Sequence, residues 1–143
     1  MTTNQPQEYY GTVYMFGHSF IFGIGSEDKH TISSHLQREL NEYYGNLNII
    51  SKLVINCANF SGVDYPFMFQ LMDTITFQEN DIIVIPVDYR FSSDIALKYG
   101  FYICSTQTAF DRPHEMGEVF VDGGHLNSEG NKTIAICEYV ALN

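Results

Sequence analysis

Short apolar runs alternate along this chain with segments whose apolar residues recur at helical spacing. Val13-Tyr14-Met15-Phe16 is a run that stops at Gly17, the pattern of a buried strand. Phe20 to Lys29 reads as a loop carrying Gly23 and Gly25. From Thr31 the residues Ile32, Leu36, Leu40 and Tyr44 fall at i, i+4 spacing and predict a helix ended by Gly45-Asn46. Glu27 and Asp28 lie just ahead of it, where the helix dipole favours negative charge. Ile49 to Asn56 is rich in β-branched residues and predicts a second strand. Asn59-Phe60-Ser61-Gly62 reads as a turn, and Phe67, Leu71 and Ile75 again fall at helical spacing. Asp81 leads into Ile82-Ile83-Val84-Ile85-Pro86-Val87, a continuous apolar run typical of a central parallel strand. Residues 92–100 predict a short helix closed by Gly100, Phe101 to Cys104 a fourth strand, and Arg112 to Glu115 a loop. From Ser128 onward Ile134, Ile136, Cys137, Val140 and Ala141 predict a terminal helix.

Strands and helices thus alternate, which predicts an α/β fold. The expected architecture is a three-layer α/β/α, flavodoxin-like arrangement around a parallel sheet of about four to five strands. The length of 143 residues fits one domain, taken as residues 11–143 after a polar lead-in of residues 1–10. Sites in such sheets form at the carboxyl ends of strands. Gly17-His18-Ser19, Ser61-Gly62 and Asp88 each follow a predicted strand, so they are expected to converge there.

Charge narrows the range of partners. Seven basic residues face 17 acidic ones, a formal net charge of −10, which argues against nucleic acid and against anionic membrane surfaces. The first residues lack the basic and apolar regions of a signal peptide, and no apolar run reaches membrane-spanning length. Cys57, Cys104 and Cys137 form no Cys-x-x-Cys pair and are odd in number. They read as buried thiols in a reducing compartment, so a cytoplasmic location is expected.

The candidate chemistry lies near the two ends. Ser19 follows the first strand, and Asp122 and His125 stand three residues apart before the last helix. Each has an ordinary structural reading: a turn serine, a capping aspartate, a loop histidine. Taken together in one α/β pattern they have a chemical one. A serine hydroxyl is a poor nucleophile at neutral pH and needs a base within hydrogen-bond reach, itself oriented by a third group. Asp122 on a turn can reach Nδ1 of His125, leaving Nε2 for Ser19.

Here the chain resembles the SGNH, or GDSL-type, hydrolases and acyltransferases. Gly17-His18-Ser19 is similar to their first block, Gly-Asp-Ser. Asp122, His125, Asn127 and Gly130 resemble their last block, Asp-x-x-His with a polar residue and a glycine at a helix start. Ala58-Asn59-Phe60-Ser61-Gly62 looks like the second block, whose glycine N–H helps bind the oxyanion, which puts Gly62 in that role. The resemblance implies a two-step acyl transfer with Ser19 as nucleophile, His125 as base and Asp122 as its orienting carboxylate. Ser19 and Gly62 N–H groups would hold the oxyanion. Segments around Glu27-Asp28 and Gly117-Glu118-Val119-Phe120 look like those of domains from bacterial polysaccharide biosynthesis, which implies a carbohydrate O-acetyl ester as substrate.

Two positions depart from that family. His18 replaces its aspartate, and either compensates at the oxyanion or packs. Asp88 stands where the third block supplies an asparagine donor. An ionised Asp88 is acceptor-only and repels an oxyanion, so the hole is left with two donors unless Asp88 is protonated or serves another purpose. The second reading is therefore a catalytically degenerate SGNH domain that binds a sugar or a partner protein. A third is a flavodoxin-like module binding a flavin mononucleotide, which leaves Asp122 and His125 without a task. No cofactor is expected on the esterase reading. No P-loop or Gly-x-Ser-x-Gly motif is present, and His30, His35 and His114 lack metal-ligand spacing, so no metal site is expected. Asn59-Phe60-Ser61 and Asn131-Lys132-Thr133 match glycosylation acceptors only formally, in a chain expected not to be secreted.

Overall fold

A computed structural model of the chain describes residues 1–60, 65–85, 119, 121–122 and 125–142, without the side chains of residues 65 and 137–142. Within these residues the fold is mixed α/β, a small open parallel sheet of three strands with four α-helices. The strands are β1 (Thr12–Met15), β2 (Leu53–Asn56) and β3 (Ile82–Val84), in the order β2-β1-β3. The helices are α1 (Ser19–Phe22), α2 (Ile32–Asn46), α3 (Tyr65–Asp73) and α4 (Ser128–Leu142). Both neighbours of β1 run parallel to it, with Thr12 opposite Leu53 and Val13 opposite Ile82. The chain leaves the carboxyl end of β1 toward β2, while β3, reached from β2 through α3, pairs on the opposite side of β1; that end of β1 is the position where open α/β sheets place their sites.

Alternation along β1 decides its two faces. Val13 and Met15 are fully buried in one core with Ile32, Leu36 and Leu40 of α2, Val54 of β2, and Leu126, Ile134 and Ala135 at and within α4. Tyr14 turns the other way and meets the ring of Phe77 edge-on at 5.2 Å between centroids. Buried Gln37 joins α2 to β2: its side chain accepts from Val54 N–H at 2.7 Å and donates to Lys52 O at 2.8 Å. The lead-in is also tied down, with Thr3 N–H donating to Ser34 Oγ and the Gln5 side-chain amide to Val54 O.

Several expected elements differ in extent. Leu47 N–H bonds back to Tyr43 and Tyr44, and Asn48 takes a left-handed φ of 55°. The chain therefore leaves α2 by a turn, Ile49 and Ile50 are exposed, and sheet pairing starts only at Leu53. The first part of the expected loop at 20–29 is helical: α1 occupies Ser19–Phe22, and Asp28–His30 forms a 3-10 turn. Thr31 caps α2 with its hydroxyl, while Glu27 pairs with Lys29. In α3 it is Met68 that is buried, whereas Phe67 is exposed and Ile75 lies past the helix end. In α4 Ile134 and Ala135 face the core and Ile136 faces outward. β1, rather than β3, is the middle strand of the described sheet. The expected elements at 92–100 and 101–104, the loop at 112–115, and Cys104 lie outside the described residues, as do the side chains of Cys137, Val140 and Ala141. Cys57 is a half-buried free thiol whose pKa is pushed up by burial.

Candidate active site

The turn that follows β1 is fixed mainly by backbone bonds. Phe16 N–H donates to Val84 O, Cys57 N–H to Met15 O, and Asn59 N–H to Gly17 O, so both flanking strands grip the chain just before Ser19. His18 is extended and Ser19 begins α1. Gly23 ends that single turn at φ +95°, a left-handed conformation that costs glycine little. A Cβ at Gly23 would lie 2.5 Å from Thr31 Cγ2, so the close approach of the two loop ends requires glycine as well. The Asn56 side chain, at the end of β2, donates to Ile21 O at 3.0 Å and accepts from Ala58 N–H at 3.0 Å. It thereby holds the far end of α1 against the sheet.

The opposing segment is a tight turn. Asn127 N–H donates to Val119 O and Val121 N–H to His125 O, both at 2.9 Å. The Asn127 side chain then caps α4 by accepting from the N–H groups of Glu129 and Gly130. Gly130 permits the packing: a Cβ there would stand 2.4 Å from Val119 O. On this turn Asp122 Oδ1 accepts from the backbone N–H of His125 at 2.8 Å. Its carboxylate also lies 2.8 Å and 3.0 Å from His125 Nδ1.

The two segments meet at His125, whose Nε2 lies 3.1 Å from Ser19 Oγ. A carboxylate can only accept, so Nδ1 carries the imidazole proton and Nε2 is free to accept from the serine hydroxyl. The imidazole side chain is 23% exposed and the carboxylate 56%. In such a wet setting the pair orients the ring more than it contributes energy. His18, beside the serine, is held below the ordinary histidine pKa first by burial and then by the nearby charge of His125. At neutral pH it is an uncharged neighbour of His125.

Family models, curated proteins and solved structures were compared with the chain, and none matches it.

The structure thus brings Ser19, His125 and Asp122 into one hydrogen-bonded chain, with His18 adjacent. Gly62 and Asp88, the other expected members of the site, lie outside the described residues. An open groove of about 580 Å³ runs beside α1, lined by Phe22, Ala58, Phe60, Phe67 and Leu71 with Asn56 and Asn59. Phe22 and Phe60 meet there edge to face at 6.4 Å. The groove wall is mostly hydrocarbon, suited to an uncharged ligand surface. Phe67 accordingly belongs to this rim.

Sequence reasoning missed Asn56, Ser26, Ser128 and Asn131. Asn131 is 1% exposed and donates to Ser26 Oγ and His30 O, both at 2.8 Å, so it is no glycosylation acceptor. Its one legible signal is an asparagine on a helix flank otherwise facing an apolar core.

Proposed function

We propose that the chain is a serine esterase or O-acyltransferase of the SGNH type acting on a small acyl ester, with acetyl on a carbohydrate as the preferred substrate. The observation that carries this reading is His125 bridging Ser19 Oγ at 3.1 Å and the Asp122 carboxylate at 2.8 Å. Base, nucleophile and orienting acid then stand in the order the chemistry needs.

His125 Nε2 takes the Ser19 proton as Oγ attacks the ester carbonyl. Asp122 holds the Nδ1 tautomer and stabilises the imidazolium that forms. As the first residue of α1, Ser19 has a backbone N–H without an intrahelical acceptor, available to the oxyanion. The family resemblance adds the Gly62 N–H as second donor. The imidazolium then protonates the leaving alcohol. Water, or an acceptor hydroxyl, attacks the acyl-serine with His125 again as base. The aromatic groove beside α1 supports an uncharged acyl or sugar moiety as the bound group. We also propose the finer fold, a three-layer α/β/α sheet of about four to five strands, supported by the β2-β1-β3 order and by the Tyr14–Phe77 contact on the second face. No helix among the described residues is long and apolar enough to cross a membrane. A cytoplasmic setting is part of the proposal, resting on an odd number of cysteines with no Cys-x-x-Cys spacing.

His18 and Asp88, standing where the SGNH pattern has Asp and Asn, favour the second reading, a catalytically degenerate binding module. A fluorophosphonate probe and p-nitrophenyl acetate separate the two. The enzyme forms an adduct on Ser19, and hydrolysis falls by about 10⁴-fold or more in Ser19→Ala and His125→Ala. No adduct, with hydrolysis unchanged in both variants, refutes the catalytic reading.

A further inference from the structure

One turn beyond His125 lies a polar network that the acyl chemistry does not use. Asn131 is fully buried, and its two amide hydrogens go to Ser26 Oγ and His30 O. The Ser26 hydroxyl is thereby left to donate to Leu126 O, at 3.3 Å. Ser26 N–H donates to Gly23 O, the residue that closes the turn begun by Ser19. A second strand of the network starts at Arg38. Its guanidinium can only donate, and Nη2 lies 2.7 Å from His35 Nδ1, so the His35 proton sits on Nε2. That Nε2 faces Ser128 Oγ at 3.5 Å, and Ser128 Oγ lies 2.8 Å from His30 Nδ1. The first two steps run in one sense, Arg38 to His35 to Ser128, because reversing either sets donor against donor; the Ser128 hydroxyl then lies against His30 Nδ1.

We propose that Ser128, with Ser26 and Asn131, is a positioning residue that clamps the start of α4 to the 26–35 segment and so holds His125 on Ser19. The clamp spans the two parts of the site. Ser26 belongs to the loop that continues from the nucleophile, while Leu126 and Ser128 flank the base. Asp122 cannot do this alone, because it sits on the same exposed turn as His125 and moves with it. The groups facing His35 are Arg38 on its own helix, His30 from the 3-10 turn, and Ser128 and Lys132 from α4. Burial first, and then the charges of Arg38, His30 and Lys132, lower its pKa to about 4, which keeps His35 uncharged at neutral pH.

This inference rests on the esterase reading for its kinetic consequence but not for its geometry. The test compares the unaltered chain with Ser128→Ala, Ser26→Ala and Ser128→Thr. Each is followed by kcat and KM on p-nitrophenyl acetate, the fluorophosphonate labelling rate, and the low-field proton resonance of His125 Nδ1–H, assigned by its loss in His125→Gln. Ser128→Ala is expected to lower kcat and labelling about 10-fold or more with KM unchanged, to broaden the resonance, and to be rescued by Ser128→Thr. Unchanged kcat and resonance in both alanine variants overturn the proposal. So does a loss of activity that only follows the fraction unfolded. If the wild-type chain neither labels nor hydrolyses, the esterase reading fails. The resonance then decides alone: persistence in Ser128→Ala refutes the clamp, and loss with rescue by threonine supports it.

Discussion

The two sides of the site are held in different ways. Ser19 begins α1 just after the largely buried strand β1, and backbone bonds from both neighbouring strands fix the residues before it. Asp122 and His125 sit on an exposed turn tied to the molecule by Leu126, by side-chain hydroxyls and by one buried amide. Backbone ladders are insensitive to most substitutions and to pH. Side-chain bonds are sensitive to both. The Ser19 side is therefore the stable half, and the position of His125 is the half that sequence change or acid disturbs first.

The sharpest test of this asymmetry is Asp122→Asn. An amide preserves the shape but lets Nδ1 lose its proton to Nε2, the wrong tautomer for accepting from Ser19. A fall in kcat of about 10³- to 10⁴-fold is expected with the thermal midpoint nearly unchanged, since the pair is half exposed. A large loss of stability in this variant would mean that the carboxylate holds the fold as well as the ring.

How much of this was legible follows the same division. β1, α2 and α4 announce themselves because burial imposes a period on neighbouring residues: Val13 and Met15 at two, and Ile32, Leu36 and Leu40 at four. Ser19, Asp122 and His125 were readable because the acid and base share one turn and the serine follows a strand. The clamp was not. Ser26 meets Leu126 across 100 positions and Asn131 across 105, and no local pattern reports such a contact. Gln37 misleads for a related reason: a polar residue on a helix signals exposure unless the backbone groups it satisfies are known. Ile49 and Ile50 misled in the opposite sense, since β-branched residues favour strands but carry no information about where the partner strand begins.

Gly130→Ala probes the packing under His125. The added methyl meets Val119 O at 2.4 Å and Leu126 side-chain atoms within 3.0 Å, so the turn must shift. A loss of about 1–3 kcal/mol in denaturant unfolding is expected, with a parallel fall in fluorophosphonate labelling. Gly45→Ala is the matched control. It lies in α2 with open space where the methyl would go, and a gain of roughly 0.5–1 kcal/mol is expected. If Gly130→Ala unfolds the protein no more easily than wild type, the close contact beneath the base is not a constraint.

The pH response gives a gentler comparison. His35 resists protonation until about pH 4 in the folded chain, against 6.5 when unfolded. Between those values the unfolded state binds more protons, so stability falls as pH drops through the window and is flat above it. The slope is at most roughly 1.4 kcal/mol per pH unit. His18, also held below its ordinary value, acts in the same direction. His35→Gln keeps an acceptor for Arg38 and should flatten the stability curve between pH 6.5 and 4, measured by thermal unfolding across that range. An unaltered curve would remove His35 as its cause.

Leu126, Ile134 and Ala135 complete the same core that β1 and α2 begin. This has a consequence for synthesis. A ribosome delivers Ser19 more than a hundred residues before His125, so a chain stopped before residue 125 carries Ser19 without the imidazole that faces it. On the esterase proposal, labelling of Ser19 begins only after α4 has docked, so its appearance reports the docking of that helix.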